Sequence, residues 1–270
     1  KKTREIMTQN HILDKKIINE YLNWLENNYN YNTTSLNTIL RAIRAFFYYI
    51  FDRNNVNIER FKISLLANNK RKQKEIYNHE ELEQLLEKPN LNEVRFTTYR
   101  NWVIINFLLA TGARVKTTVN VQNKDIDLEN QKIILYNYKS HHTYQISFYD
   151  SFKRIIKEYL RIREGNPEDY LFCSQYGNKL TRAGLRSALV RYNKRHGVEK
   201  SNIHAFRHTF ASLWIKNGGD PYRLMDLLDH QSIEITKEYV HQFDNDETMK
   251  NYNPLESLSD DKKKYIDIKK

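Results

Sequence analysis

The chain has 270 residues, 40% hydrophobic and 13% aromatic, with only seven Gly and four Pro. That composition excludes a disordered or collagen-like chain and favours a helix-rich protein large enough for two domains. A net charge of +11 points to a polyanionic partner, with nucleic acid the commonest.

Lys1-Lys2-Thr3-Arg4-Glu5 leads into no hydrophobic signal core. No apolar run reaches the roughly 18 residues that would span a membrane. The expectation is a soluble protein of the bacterial cytoplasm. Residues 1–66 read as a helical module. Ile17, Ile18, Tyr21, Leu22 and Leu25 recur at helical spacing, and Thr33-Thr34-Ser35 opens a second helix carrying Leu36, Ile39, Leu40, Ile43, Phe46, Phe47 and Ile50. Arg41 and Arg44 lie off that apolar stripe. Between residues 1 and 75 there are 14 Lys and Arg against 7 Asp and Glu, so the first quarter holds +7 of the net charge. Residues 67–77 carry Lys70, Arg71, Lys72 and Lys74 without apolar periodicity, which predicts a basic linker suited to a phosphate backbone.

A second module spans 78–243. Asn78, followed by Glu80 and Glu81, predicts a capped helix start. An apolar helix is expected at Trp102–Ala110, closed by Thr111-Gly112. Residues 132–136 and 143–148 are β-branched and aromatic runs around a polar tip, a hairpin pattern. Leu171-Phe172-Cys173 reads as a buried strand. Cys173 is the only cysteine, which excludes an internal disulfide and fits a reducing compartment. Further helices are expected near 151–163, 181–195, 204–217, 221–229 and 232–240. Residues 244–270 read as a mixed-charge tail with a few apolar residues, including Leu255, Leu258, Tyr265 and Ile266, either frayed or docked elsewhere.

Five patches of the second module gain meaning together. Singly, Arg114 suits a helix C-terminus, Lys139 a solvated turn, and His230 a satisfied core position. His204 and His208 have the spacing of two zinc ligands, yet Ala205 stands where a metalloprotease needs Glu, and no metal or cofactor is expected. Together, Arg114, Lys139, His204, Arg207, His230 and Tyr239 supply what metal-free phosphoryl transfer requires. Two guanidiniums can fork onto the non-bridging oxygens of one phosphodiester. The imidazoles add hydrogen bonds and proton transfer. A tyrosine, with an ordinary pKa near 10, needs such cations to become a nucleophile. Lysine on a hairpin tip can protonate the departing oxygen.

Thr111-Gly112-Ala113-Arg114, the hairpin lysine Lys139, His204-Ala205-Phe206-Arg207-His208-Thr209-Phe210-Ala211, Leu228-Asp229-His230, and Tyr239 nine positions later resemble, in order and spacing, the catalytic domain of the tyrosine recombinase (phage integrase) family. The resemblance is strong over 76–243 and looser over 11–66. It implies a mainly α fold with a small antiparallel sheet, in which a helical core-binding domain and an α+β catalytic domain form a clamp on DNA. It also implies a Tyr239 nucleophile, a 3′-phosphotyrosyl intermediate, and a homotetramer on two specific double-stranded recombination sites. The outcome expected is integration, excision or transposition of a mobile element, with the tail packing in trans. Arg41, Arg44, Lys70, Arg71, Lys72 and Lys74 would grip phosphates. His208 is expected to pack rather than react. Type IB topoisomerases use a similar residue set, and an inert DNA-binding relative would keep the same fold, so both stay open here.

Two positions depart from the family pattern. Thr117 stands where an acid is common, and Asp229 stands where Gly usually precedes the histidine.

Overall fold

The computed structural model describes residues 15–53, 55, 63–67, 74–138, 141–230 and 232–240. The chain divides into two compact units, Lys1–Gln73 and Lys74–Lys270.

The first unit is built on α1 (Lys15–Tyr29) and α2 (Thr33–Arg53). The apolar stripes predicted from spacing meet there: Leu22 and Leu25 pack with Leu36, Leu40 and Ile63. The segment bearing Ile63 is held by one side chain. Asn37 donates to the Leu66 carbonyl at 3.0 Å and accepts the Leu66 N–H at 2.8 Å. Buried Asn37 thereby satisfies a backbone that no helix or strand pairs.

In the second unit, Asn78 caps α3 (His79–Leu86). Its side chain accepts the Glu81 N–H while the Glu81 carboxylate accepts its own N–H. Next comes α4 (Phe96–Thr111), which starts six residues before the expected Trp102 because its opening turn, Phe96-Thr97-Thr98-Tyr99, lacks a continuous apolar run. Val103, Ile104, Ile105 and Phe107 are fully buried, so this helix has core on every side. A short helix α5 (Val115–Thr118) follows directly and had no signal of its own in the sequence.

The hairpin forms as β2 (Lys132–Asn137) and β3 (His142–Ser147), with Ile133 opposite Ile146 and Asn137 opposite His142. A two-residue strand, β1 (Ile126–Asp127), completes a three-stranded antiparallel sheet in the order β1-β2-β3. Burial alternates along β2, with Ile133 and Leu135 facing the core. The strand expected at 171–173 joins no ladder. The segment is buried but makes only the isolated bridges Gln122–Tyr170 and Cys173–Lys179. Its apolarity reflects contact with α4, where Phe107 meets Phe172 edge-on at 5.2 Å.

The remaining helices are α6 (Asp150–Arg163), α7 (Arg182–Arg195), α8 (His204–Lys216), α9 (Pro221–Leu228) and α10 (Ile233–Val240). The last three share a small cluster of Phe210, Ala211, Leu224, Leu228 and Tyr239. Among the described residues no helix is long and apolar enough to cross a membrane.

The basic linker was expected to run to residue 77, yet the second unit begins at Lys74. Tyr77 is a core residue stacked on Phe206 at 4.3 Å. Its N–H donates to Thr209 Oγ1 at 2.8 Å, and that hydroxyl donates to the Ala205 carbonyl at 2.8 Å. Thr209 thus stitches the entering chain to α8. Replacing Thr209 with the isosteric Val leaves the buried Tyr77 N–H without an acceptor. Thr209→Val is expected to lower stability by about 1–3 kcal/mol in urea unfolding of the whole chain.

Candidate active site

The site begins where α4 ends. Gly112 caps the helix in the left-handed region (φ 60°) with its N–H on the Leu108 carbonyl at 2.8 Å. A Cβ there would lie 2.5 Å from the Phe210 ring and 3.0 Å from Leu228, so glycine is required by space as well as conformation. Its absence of side chain lets the end of α4 approach both α8 and α9.

Two guanidiniums fill the junction. Arg207, on buried α8, donates to the Gly112 carbonyl at 2.9 Å and to the Leu228 carbonyl. Arg114, which begins α5, donates to that same Leu228 carbonyl and to the Asp229 carbonyl, each at 3.0 Å. Both cations therefore gather the unpaired carbonyls at the C-terminal, negative end of α9. Burial, then the neighbouring Arg114 charge, pulls Arg207 down to about 10, which still leaves it charged at neutral pH. A phosphate entering here would find forked donors already converged.

Both departures from the family pattern fall on this junction. Thr117 is buried, and its hydroxyl donates to the Tyr136 carbonyl of β2 at 3.1 Å. It ties the hairpin to the Arg114 segment, so the hydroxyl is engaged in structure. Asp229 adopts a left-handed conformation (φ 48°, ψ 53°) as the cap of α9, a geometry that suits glycine and that Asp tolerates better than most. Its carboxylate lies 3.4 Å from Arg114. The negative charge missing at 117 is present beside the same arginine, at 229.

The nucleophile candidate lies beyond this loop. Tyr239 is 1% exposed. Its hydroxyl is 2.7 Å from His208 Nδ1. The His230 ring lies nearly parallel at 6.3 Å, with its Nδ1 held by Thr236 Oγ1 at 2.9 Å. Burial raises the phenol's pKa, while Lys74 and Arg207 oppose that rise. Burial and the surrounding cations hold His208 and His230 down to about 4, so both are neutral at pH 7 in this arrangement. His204 opens α8 and is lowered for the same reasons, burial first and then Arg207.

The structure thus gathers Arg114, Arg207, His204, His230 and Tyr239 around one junction. Lys139 lies outside the described residues. Its flanks, Tyr138 and His141, are placed at the hairpin tip, with Lys116 over the Tyr138 ring at 4.6 Å. Arg41 and Arg44 sit on α2 of the first unit, exposed and half-buried respectively. Lys70, Arg71 and Lys72 also lie outside the described residues.

Lys74 departs from expectation. Instead of projecting from a linker, its ammonium sits 4.0 Å from the Tyr239 ring centroid and 2.6 Å from Glu238. The acid beside the tyrosine and the electron-rich ring face draw it onto α10. His208 was expected merely to pack, and it touches the phenol. One signal had been available: His204, Arg207 and His208 share a helix face at i, i+3, i+4. Among the described residues no group of three His, Cys, Asp or Glu could hold a metal ion.

The family model described as "Phage integrase family" matches residues 75–246, well over half of the chain. Tyrosine recombinase XerC of Lactobacillus leichmannii is 24% identical over 216 residues, covering 77% of this chain and 72% of that protein. Among solved structures, the XerH site-specific recombinase in a post-cleavage complex with a palindromic difH substrate matches with TM-score 0.69 and 26% identity, over 92% of this chain and 74% of that one. A Tn1549 transposon integrase bound to circular-intermediate DNA shares the fold, with TM-score 0.68 and 20% identity over 87% and 85% of the two chains.

Asp229→Gly and Asp229→Ala remove the same carboxylate from Arg114, but only alanine keeps the Cβ in the left-handed conformation. The glycine variant is expected to be more stable than the alanine variant by about 1–2 kcal/mol. Their urea midpoints measure this directly, and equal midpoints would mean the loop is not held left-handed.

Proposed function

The chain belongs to the phage integrase family, and from that premise we propose that it is a site-specific DNA recombinase that cuts and rejoins strands through Tyr239. The observation carrying this is the convergence of Arg114 and Arg207 on one carbonyl oxygen beside the shell of Tyr239. A scissile phosphate replacing that carbonyl as acceptor offers both guanidiniums a negatively charged oxygen pair in place of a neutral oxygen. The arginines then stabilise the charge of the pentavalent transition state. His204 and His230 add hydrogen bonds to the phosphoryl oxygens.

Tyr239 attacks phosphorus, forms a 3′-phosphotyrosyl bond and releases a 5′-hydroxyl, with Lys139 supplying the proton to the departing oxygen. A 5′-hydroxyl from the partner strand attacks that linkage in turn. The covalent bond keeps the energy of the broken phosphodiester, so each exchange is close to isoenergetic. Excess basic charge supports a duplex partner. In this reading the first unit, through Arg41 and Arg44, and the basic residues Lys70, Arg71 and Lys72 close a clamp on the backbone. Each phosphate contact steepens the salt dependence of binding. The biological outcome is integration, excision or transposition of a mobile element, carried out in the cytoplasm.

Assembly is a homotetramer on two sites, with the tail beyond residue 243 seated on a neighbouring copy. An apolar groove of about 1020 Å³, lined by Leu109, Ile146, Phe148, Phe152, Phe210 and Trp214, supports this. It offers a place for Leu255 and Leu258 of the neighbour. Removing residues after 250 is expected to abolish the two-site assembly while sparing binding to one site. Unchanged assembly in analytical ultracentrifugation with DNA would contradict the tail's role.

The chemistry is tested with a nicked duplex whose short 5′-hydroxyl fragment diffuses away after cleavage. The chain is expected to form a covalent protein–DNA adduct that Tyr239→Phe abolishes. An adduct undiminished in Tyr239→Phe would exclude this nucleophile.

A further inference from the structure

His208 is not needed by the mechanism above, yet it is the side chain that meets the nucleophilic atom. Its Nδ1 is 2.7 Å from Tyr239 Oη. With the ring proton on Nε2, the neutral imidazole accepts the Tyr239 hydroxyl proton at Nδ1, a contact along the O–H to be broken. The other imidazoles are placed differently: His230 Nδ1 is bound to Thr236 Oγ1, and His204 sits a helical turn away from His208.

We propose that His208 is the proton acceptor for Tyr239 and that Lys74 is the positioning residue that holds the phenol to it. This rests on the recombinase reading and adds to it the fate of the tyrosine proton. Lys74 fixes the nucleophile's helix at three points: 4.0 Å from the Tyr239 ring centroid, 2.6 Å from Glu238, and 3.4 Å from the Ile235 carbonyl. A cation over the ring face also favours the electron-rich phenolate over the phenol.

The step balances. The Tyr239 O–H breaks as an Nδ1–H forms on His208, the oxygen's electron pair bonds to phosphorus, and the bond from phosphorus to the 5′-oxygen breaks with that oxygen taking the proton from Lys139. In rejoining, the incoming 5′-hydroxyl gives its proton to the now neutral Lys139 amine as its oxygen bonds to phosphorus, the bond from phosphorus to Tyr239 breaks, and the His208 imidazolium returns the proton to Oη. The groups facing His208 are Lys74 from the entering segment, His204 and Arg207 from α8, His230 from the preceding loop, and Glu238 and Tyr239 from α10. Burial first, and then the charge of Lys74, keeps the imidazole neutral, and with the ring proton on Nε2 its Nδ1 lone pair is available. An arriving phosphodiester brings the negative charge that makes an imidazolium easier to form.

The test is single-turnover cleavage of the nicked duplex by the full chain, from pH 6 to 9. It uses the ordinary substrate and one with sulfur replacing the scissile 5′-oxygen. Sulfur leaves without being protonated, so it rescues a missing acid but not a missing base. His208→Ala and His208→Asn are compared with the unaltered chain; Asn keeps an acceptor near the Nδ1 position and guards against a folding defect. Both variants are expected to cleave about 100-fold or more slowly at pH 7 on either substrate. Their rates should climb about tenfold per pH unit as hydroxide takes over the phenol proton, while the unaltered chain stays flat. Variants with the unaltered rate or its flat profile, or variants rescued by sulfur, overturn the role of His208 alone. Absence of any adduct from the unaltered chain overturns the recombinase reading and this proposal together.

Discussion

The carbonyl of Leu228 accepts hydrogen bonds from Arg114 and Arg207 at once, and the active-site junction is arranged around that shared oxygen. Two guanidiniums this close repel each other. They are tolerated because the end of a helix presents carbonyls that lack partners and carry the negative pole of its dipole. The same contact explains the demand for glycine at 112, since any Cβ would wedge apart the three helices whose ends meet there. It also explains why α9 ends in a left-handed residue, which turns the chain so that its last carbonyls face the arginines while His230 continues toward Tyr239.

These donors are occupied by the carbonyls of Gly112, Leu228 and Asp229, with the Asp229 carboxylate beside Arg114. A phosphodiester competes for them with a full negative charge in a partly buried setting, where electrostatic interactions are stronger than in water. The nucleophile is held in a comparable balance. Burial makes the phenolate of Tyr239 costly, and Lys74 and Arg207 pull the other way. The histidines around it stay neutral first because burial disfavours the imidazolium and then because of the positive charge beside them. Asp229 tempers that excess at Arg114, which accounts for an acid surviving at a backbone position that glycine would occupy with less strain.

Much of the fold was legible because apolar spacing survives translation into packing. The stripes of α1 and α2, the Asn78 capping box and the alternation along β2 all involve neighbours within a few residues in sequence. Misreadings arose where local pattern and tertiary use differ. Leu171-Phe172-Cys173 is as apolar as a strand because α4 covers it, not because a ladder pairs it. The start of α4 at Phe96 was hidden by its threonines. Tyr77 looked like linker because its partners, Phe206 and Thr209, lie some 130 residues further on, the Thr209 contact being 132 away.

Residue identity, order and spacing determined by themselves which side chains could carry phosphoryl transfer: Arg114, Lys139, His204, Arg207, His230 and Tyr239 stand out only as a set. Tertiary structure alone decided what each donor touches before DNA arrives. No local pattern could bring Lys74 onto a ring 165 positions later or aim His208 rather than His230 at the Tyr239 hydroxyl. Nor could it place the carboxylate of Asp229 beside Arg114 across a separation of 115 residues. Such contacts depend on where helix ends converge, and that convergence follows from burying α4 on all sides and from the close approach of Phe210 on α8 and Leu228 on α9 that Gly112 permits.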